Sequence, residues 1–379
     1  MGKHLREVFE AMQKRAHGGN IYEVARRYNL APENILDFSA SISPLGVPEK
    51  VMAAVEAALT AVRYYPDPEC TSFCEAAAAY HEVNRQNILP GNGAAEIIYL
   101  ITHLVRPRRA LIPIPTFSEY AYAVESIGAE VISPCFRQQG QRFVIHKEDF
   151  VQSIAGKDLV FICNPNNPTG TLWTRDELIE IVEVGRANHC TVVIDEAYLD
   201  LVENGPAYSM VERVRDYDNL LILKSLTKVY AIPGLRIGYA LGPSRIIKAM
   251  TLLRDPWSVN VLAQEAGTAA FQESEYLSRL QELVQVERQY LYEELSKIAG
   301  LEPVYPTANF ILFDTGPAGI SAATLQNAMA TRGILIRDCT SFRGMGGNHV
   351  RITVRTRVDN ERFIQTAREC LLALSAGGG

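Results

Sequence analysis

Short apolar runs alternate with amphipathic stretches through the middle of this chain. The runs lie at residues 110–114, 130–133, 158–163, 191–195, 220–224 and 236–241. Runs this short and this uniformly apolar read as strands buried on both faces. The helical periods between most of them make βαβ units, and hence a parallel sheet. Thr174 and Glu177 form a capping-box pattern that opens one of those helices. Residues 263–299, with few Gly or Pro, read as one long helix leading into a second α/β region with strands at 309–313, 333–337 and 349–355. The pattern predicts an α/β fold, a large domain with a mostly parallel sheet sandwiched by helices plus a smaller α/β C-terminal domain. The expected divisions are an N-terminal segment (1–45), a large domain (46–270) and a small domain (271–379).

Composition narrows the class without fixing it. The chain has 379 residues, 47% hydrophobic and 21% charged, which suits an ordinary globular protein. A net charge of -6 gives no basic surface for nucleic acid. No apolar stretch approaches the roughly twenty residues of a membrane span, and the first residues lack a signal peptide's apolar core. Seven cysteines, odd in number and without metal-ligand spacing, read as free thiols in a reducing cytosol, so a cytoplasmic protein with no metal is expected.

Chemistry concentrates at the ends of the apolar runs. After the run at 220–224 comes Ser225-Leu-Thr-Lys228, with Arg236 eight residues on. A hydroxyl, a lysine one helical turn later and a returning arginine suit a lysine that forms a Schiff base with an aldehyde cofactor whose phosphate Ser225 and Arg236 hold. Read alone, Lys228 is a surface lysine. Three further stretches weigh against that. Asn167 lies in the turn Cys163-Asn-Pro-Asn-Asn167-Pro after a strand, where ligands of open α/β sheets gather. Asp195 ends the run Thr191-Val-Val-Ile-Asp195, and a carboxylate buried there calls for a cationic partner such as a protonated pyridine nitrogen. Tyr198 follows three residues later. Gly91-Asn-Gly93-Ala94-Ala95 precedes a helix, whose N-terminal N–H groups favour a phosphate.

These four stretches together resemble the fold-type I pyridoxal phosphate enzymes of the aspartate aminotransferase superfamily, and the resemblance covers nearly the whole chain. It implies that Lys228 is the Schiff-base lysine and Asp195 the partner of the pyridine nitrogen. Asn167 and Tyr198 would serve the ring oxygen, and Ser225, Arg236 and the backbone at Gly93, Ala94 and Ala95 the cofactor phosphate. Phe117 looks like the aromatic that stacks on the ring. Tyr65, in Arg63-Tyr-Tyr65-Pro, resembles the tyrosine sent across a homodimer interface to the neighbour's cofactor.

Within the superfamily the N-terminus discriminates. His17-Gly18-Gly19-Asn20 has the composition of a backbone nest for a phosphate, or of a plain helix-entry loop. With Asp37-Phe-Ser39, Phe117-Ser-Glu119-Tyr120 and Pro256-Trp-Ser-Val-Asn260, it is similar to the threonine-O-3-phosphate decarboxylases of cobalamin biosynthesis. That family commonly carries asparagine where this chain has Ser41 and Ser43. The resemblance implies a small phosphorylated amino acid as substrate, with threonine phosphate expected and serine phosphate its near neighbour. Arg351 would hold the carboxylate, with Arg337, Arg355 and the 17–20 loop as candidates for the distal phosphate. Arg351 and Arg355 share a strand face, so an anion or an internal carboxylate is expected between them. The histidinol-phosphate aminotransferases are the alternative, there reading glycine where this chain has Arg355. A non-catalytic cofactor-binding regulator is a distant third.

Overall fold

The computed structural model describes residues 17–376. Seven strands make the main sheet: β1 (Ile88–Asn92), β2 (Arg109–Leu111), β3 (Glu130–Ile132), β4 (Leu159–Cys163), β5 (Thr191–Asp195), β6 (Leu220–Ser225) and β7 (Ile237–Leu241). Their order is β1-β7-β6-β5-β4-β2-β3. All neighbours are parallel except β7, which runs antiparallel between β1 and β6. The β4, β5 and β6 backbones are buried almost throughout, as uniform apolar runs require. Helices cover both faces, and separate apolar cores form on either side of the sheet.

One strand escaped the pattern. Pro90, Gly91 and Asn92 read as a loop but belong to β1, at the sheet's edge. Proline is tolerated there because an edge strand leaves one row of N–H groups unpaired. The helix Gly93–Val105 starts directly from it. The capping box is present as expected: Glu177 N–H donates to Thr174 Oγ1, and Thr174 N–H to the Glu177 carboxylate.

The stretch at 263–299 is two helices, Val261–Ala270 and Ser274–Ser296, broken at residues 271–273. The longer one buries Tyr276, Leu280 and Val284 in the core beside the main sheet, and Leu291 and Leu295 in a second core. That second core lies against a four-stranded antiparallel sheet of order β8-β9-β11-β10, where β8 is Glu302–Pro303, β9 Phe310–Asp314, β10 Arg337–Asp338 and β11 His349–Thr353. The expected strand at 333–337 is split. Ile334–Leu335 pairs in parallel with Leu36–Asp37, and only Arg337–Asp338 joins β11. This split ties the N-terminal segment to the small sheet, and so to the ends of β4, β5 and β6.

Gly238 on β7 lets the helix Gly93–Val105 approach the sheet. A Cβ there would sit 2.5 Å from the Ala94 nitrogen and 3.0 Å from the Lys224 carbonyl oxygen, both backbone atoms that cannot swing aside. Gly238→Ala is expected to destabilise the protein by about 1–3 kcal/mol, the range for forced overpacking, read as a lower urea midpoint at unchanged slope.

Candidate functional site

β4, β5 and β6 end side by side, and the turns after them open a cavity. Asn167, Asp195, Tyr198, Ser225 and Lys228 line it, together with Gly93, Ala94 and Ala95 at a helix N-terminus, Arg236 at the start of β7, and Phe117. The sequence-derived cofactor set is thus gathered in one place, with the exception of Tyr65. In its own chain Tyr65 is 79% exposed, its ring 4.6 Å from that of Trp257 and outside the cavity.

Strand alternation sends Lys224 and Ser225 to opposite faces of the sheet. Lys224 points to the far face of β6 and is committed to two carboxylates, Glu196 at 3.0 Å and Asp200 at 3.2 Å. Ser225 faces the cavity, its Oγ 2.8 Å from Thr227 Oγ1. Lys228 follows one turn later. Burial, then the positive charges of Arg351 and Arg236, lower its ammonium from 10.5 to about 8. Near neutral pH it therefore holds far more free amine, the form that attacks a carbonyl, than an ordinary lysine does.

Asp195 is buried, and that burial raises its carboxyl above the usual value. Its Oδ1 accepts the Ala197 N–H at 2.9 Å and its Oδ2 the Tyr120 hydroxyl at 2.7 Å. Tyr120 was missed in the sequence. It is fully buried, stacked on Phe161 with centroids 4.9 Å apart, and edge-on to Phe117 at 5.5 Å. Its signal was proximity in sequence: it lies three residues beyond Phe117, in the first turn of the helix Glu119–Ser126. Cys163 and Thr227, also unassigned, line the cavity too.

Arg351 is buried among acceptors. Its Nη1 donates to Asn167 Oδ1 and its Nη2 to the Ser39 carbonyl at 2.8 Å, while its Nε is buried with no partner. Holding Oδ1 leaves the Asn167 amide Nδ2 as the donor toward the cavity. Tyr198 is buried edge-on to Phe310, and burial pushes its phenol up to about 12, so it stays a donor. Of the two serines where asparagine was expected, Ser43 Oγ is 2.6 Å from the Tyr276 hydroxyl, and Ser41 is buried beside the Tyr198 phenol.

A second cleft adjoins the first. His17, Gly18, Asn20, Ser39, Arg337 and Ser341 are among its walls. Arg337 is buried and donates to Ser341 Oγ at 2.6 Å. The 17–20 loop is only partly the nest its composition suggests. Gly18 is forced by close approach, since a Cβ would strike the Ser39 carbonyl oxygen. The Gly19 N–H is taken by Ser39 Oγ at 2.7 Å. Asn20 spends its side chain capping the helix Ile21–Tyr28, accepting from Glu23 N–H and donating to the Glu23 carboxylate. His17 remains, its ring 6.1 Å from Phe117.

Arg355 is a correction. It lies beyond β11, lines neither cleft, and pairs with Asp359 at 3.0 Å while donating to the Asp37 carbonyl at 3.2 Å. The internal carboxylate explains it: the strand ends at Thr353, so the alternation that would have put Arg355 beside Arg351 stops first.

The donors suit a flat, phosphorylated, nitrogen-bearing ring. Gly93 at φ +76° meets Arg236 at φ +59°, and a Cβ on Gly93 would strike the guanidinium, so the pair form a cradle that only glycine leaves open. Helix N–H groups, an arginine and hydroxyls there offer anion ligands, and buried Asp195 offers a cation ligand. All seven cysteines are free, and no His/Cys/Asp/Glu cluster able to hold a metal occurs among the described residues. No helix among them is long and apolar enough to cross a membrane.

Tyr120→Phe removes a donor from a buried carboxylate. The apo-protein is expected to lose about 1–3 kcal/mol, the cost of an unsatisfied buried acceptor, measured by thermal or urea unfolding.

Comparison with known proteins accounts for this arrangement. Residues 33–366 match the family model described as aminotransferase class I and II. The threonine-phosphate decarboxylase of Salmonella typhimurium is 34% identical over 96% of this chain and 99% of its own length. Among solved structures, the histidinol-phosphate aminotransferase from Clostridium acetobutylicum is 28% identical with a TM-score of 0.83, covering 89% of this chain and all of its own. The L-threonine-O-3-phosphate decarboxylase from Porphyromonas gingivalis is 27% identical with a TM-score of 0.78, covering 89% of this chain and 99% of its own. Sheet, cavity and sequence therefore agree, and the chain belongs to the aminotransferase class I and II family of fold-type I enzymes, whose cofactor is pyridoxal phosphate.

Proposed function

We propose that the protein decarboxylates an O-phosphorylated β-hydroxy amino acid, taking L-threonine O-3-phosphate to (R)-1-aminopropan-2-yl phosphate for cobalamin biosynthesis. The observation that carries this reading is the second cleft, where His17 and Arg337 line a space next to the cofactor cavity, with Ser39 and Arg351 between the two. A substrate with a carboxylate at one end and a phosphate at the other needs two separate cationic positions, and Arg351 and Arg337 are such a pair. The similarity to threonine-phosphate decarboxylases over nearly the full length supports it.

Each residue of the two clefts has a part in this reading. Pyridoxal phosphate, when bound, supplies an aldehyde and an electron-accepting ring. Lys228 would hold it, its lowered proton affinity keeping the amine form populated. Asp195, oriented by Tyr120, would balance the charge of its nitrogen. Asn167 and Tyr198 would donate to it, and Phe117 would pack against it. Ser225, Arg236 and the N–H groups at Gly93 to Ala95 would take its phosphate. Arg351, with its unpartnered Nε, orients the substrate carboxylate, and Lys228 or another acid returns a proton to Cα. Tyr65, exposed in its own chain, reaches the cofactor phosphate of a second copy in a homodimer.

The alternative is amino transfer on histidinol phosphate, favoured by the likeness to the solved aminotransferase. There the Cα–H bond breaks instead of the bond to the carboxylate, with Lys228 moving the proton. The two are separated by incubating holoenzyme with O-phospho-L-threonine and no oxo acid. Release of CO2 with aminopropanol phosphate is expected. Oxo-acid-dependent transfer without CO2 would overturn the reading. O-phospho-L-serine should also be accepted, since one methyl group discriminates by only about 1–3 kcal/mol.

Lys228 makes a second prediction, independent of substrate. In the apo-protein an amine-selective acylating reagent should label it with a pH midpoint near 8 rather than 10.5. Since the neutral amine reacts, labelling rises with pH through that midpoint. Peptide mapping of the label checks it, and a midpoint above 10 would remove the lowered proton affinity from the argument.

A further inference from the structure

Glu119 is a buried carboxylate, 8% exposed, that the roles above leave unused. It follows Phe117 by two residues and precedes Tyr120, so it belongs to the turn that also serves the cofactor cavity. Its Oε1 lies 3.0 Å from His17 Nε2, and its Oε2 accepts the Tyr99 hydroxyl at 3.1 Å. His17 is 43% exposed on its side chain while Glu119 is 10%, so the carboxylate sits behind the imidazole and the imidazole faces outward.

We infer that Glu119 is a positioning residue for substrate recognition: by taking Nε2 it fixes the orientation of the His17 ring so that Nδ1 faces the substrate's distal phosphate. This rests on the proposed phosphorylated substrate and adds the residue that makes His17 competent for it.

The argument is one of hydrogen-bond inventory. An ionised carboxylate only accepts, so Nε2 must carry a proton when it faces Glu119. Nδ1 is then the ring nitrogen a ligand can use. A neutral imidazole in that tautomer offers Nδ1 as an acceptor, which repels a phosphate oxygen. Only the imidazolium donates from both nitrogens, so a carboxylate on Nε2 and a phosphate on Nδ1 together call for the doubly protonated ring. Tyr99 holds the carboxylate in turn, as orienting groups behind histidines commonly do.

Position supports the same role. The His17 ring stands 6.1 Å from Phe117, a wall of the cofactor cavity, and it lines the neighbouring cleft with Arg337. Gly19 and Asn20 are spent on Ser39 and on the helix cap, so the loop is held in place by bonds other than the Glu119 contact. The remaining ionisable groups lining the cleft are Glu23, Arg27, Tyr28, Arg337 and Asp338, and neither acid is hydrogen-bonded to His17.

The test uses holoenzyme with O-phospho-L-threonine, and unphosphorylated L-threonine as the control ligand, bound and followed by the visible absorbance of the cofactor. Glu119→Gln keeps the size and removes the charge. It is expected to raise KM and the dissociation constant for the phosphorylated ligand at least tenfold, with kcat changed less than threefold. Binding of threonine should move less than twofold. His17→Ala should show the same pattern, and the double variant should be no worse than His17→Ala alone. Should Glu119→Gln fail to fold, Glu119→Asp retains the charge but withdraws it by one methylene, and an intermediate loss confined to the phosphorylated ligand is expected. Equal weakening of both ligands, or additive losses in the double variant, would overturn the inference. A wild-type enzyme that binds threonine as well as its phosphate would instead overturn the substrate reading on which it rests.

Discussion

The meeting of Arg236 and Gly93 is the constraint on which the site depends. Both residues sit in the left-handed region, and a Cβ at Gly93, strained by its φ of +76° in itself, would press on the Arg236 guanidinium. Their contact exists because β7 runs antiparallel between β1 and β6 and so begins where β6 ends. It brings an arginine from one strand start, a hydroxyl from another strand end and the N-terminus of a helix to one point. Gly238, at the same place on β7, lets that helix come close enough for its N–H groups to face the same space. An anion site assembled from three elements is rigid, because moving any one of them means moving a strand of the main sheet.

Around that point the electrostatics are set by burial more than by pairing. Burial raises Asp195 and lowers Lys228, so each is held toward its neutral form, and each is thereby left seeking a charged or covalent partner. Arg351 shows the same tension in another way, with four of its donor directions only partly used and its Nε buried without a partner. Lys224, four residues before Lys228, is the contrast. Its two carboxylates satisfy it within the chain, and burial there makes a structural ion cluster instead of a reactive group. Lys224 is still on β6 and faces away from the cavity, whereas Lys228 is carried into it by the short helix that follows the strand.

Ser39 joins the cavities. Its carbonyl accepts from Arg351, its hydroxyl accepts from the Gly19 N–H, and its own N–H and hydroxyl donate to Asp37. Through it the N-terminal segment, the small sheet and the cofactor cavity share one set of hydrogen bonds. The Ser43 N–H bonded to the Lys228 carbonyl at 2.8 Å adds a second tie. A substrate reaching from one cavity to the other would touch all three.

Much of this was legible in the chain. Uniform apolar runs mark strands buried on both faces, and residues with chemistry at their carboxyl ends mark where a parallel sheet collects a ligand, so the convergence of Asn167, Asp195, Ser225 and Lys228 on one cavity could be expected without coordinates. What local pattern could not reveal was anything decided by contacts between distant segments. Pro90-Gly-Asn reads as a loop, yet becomes a strand because β7 pairs with it. The stretch around residue 335 reads as one strand, yet divides because two different partners compete for its backbone. Arg355 shares a sequence periodicity with Arg351, yet leaves the site because Asp359 lies one helical turn ahead of it. Tyr120 and Glu119 look like ordinary helix-entry residues until the fold brings Asp195 and His17 to them. The sequence by itself determined which elements form and which ends bear the chemistry, since those follow from burial and backbone preference within a few residues. Only the tertiary structure decided which charged groups are left without internal partners, because that depends on what the other end of the chain brings within about 3 Å, the reach of a hydrogen bond.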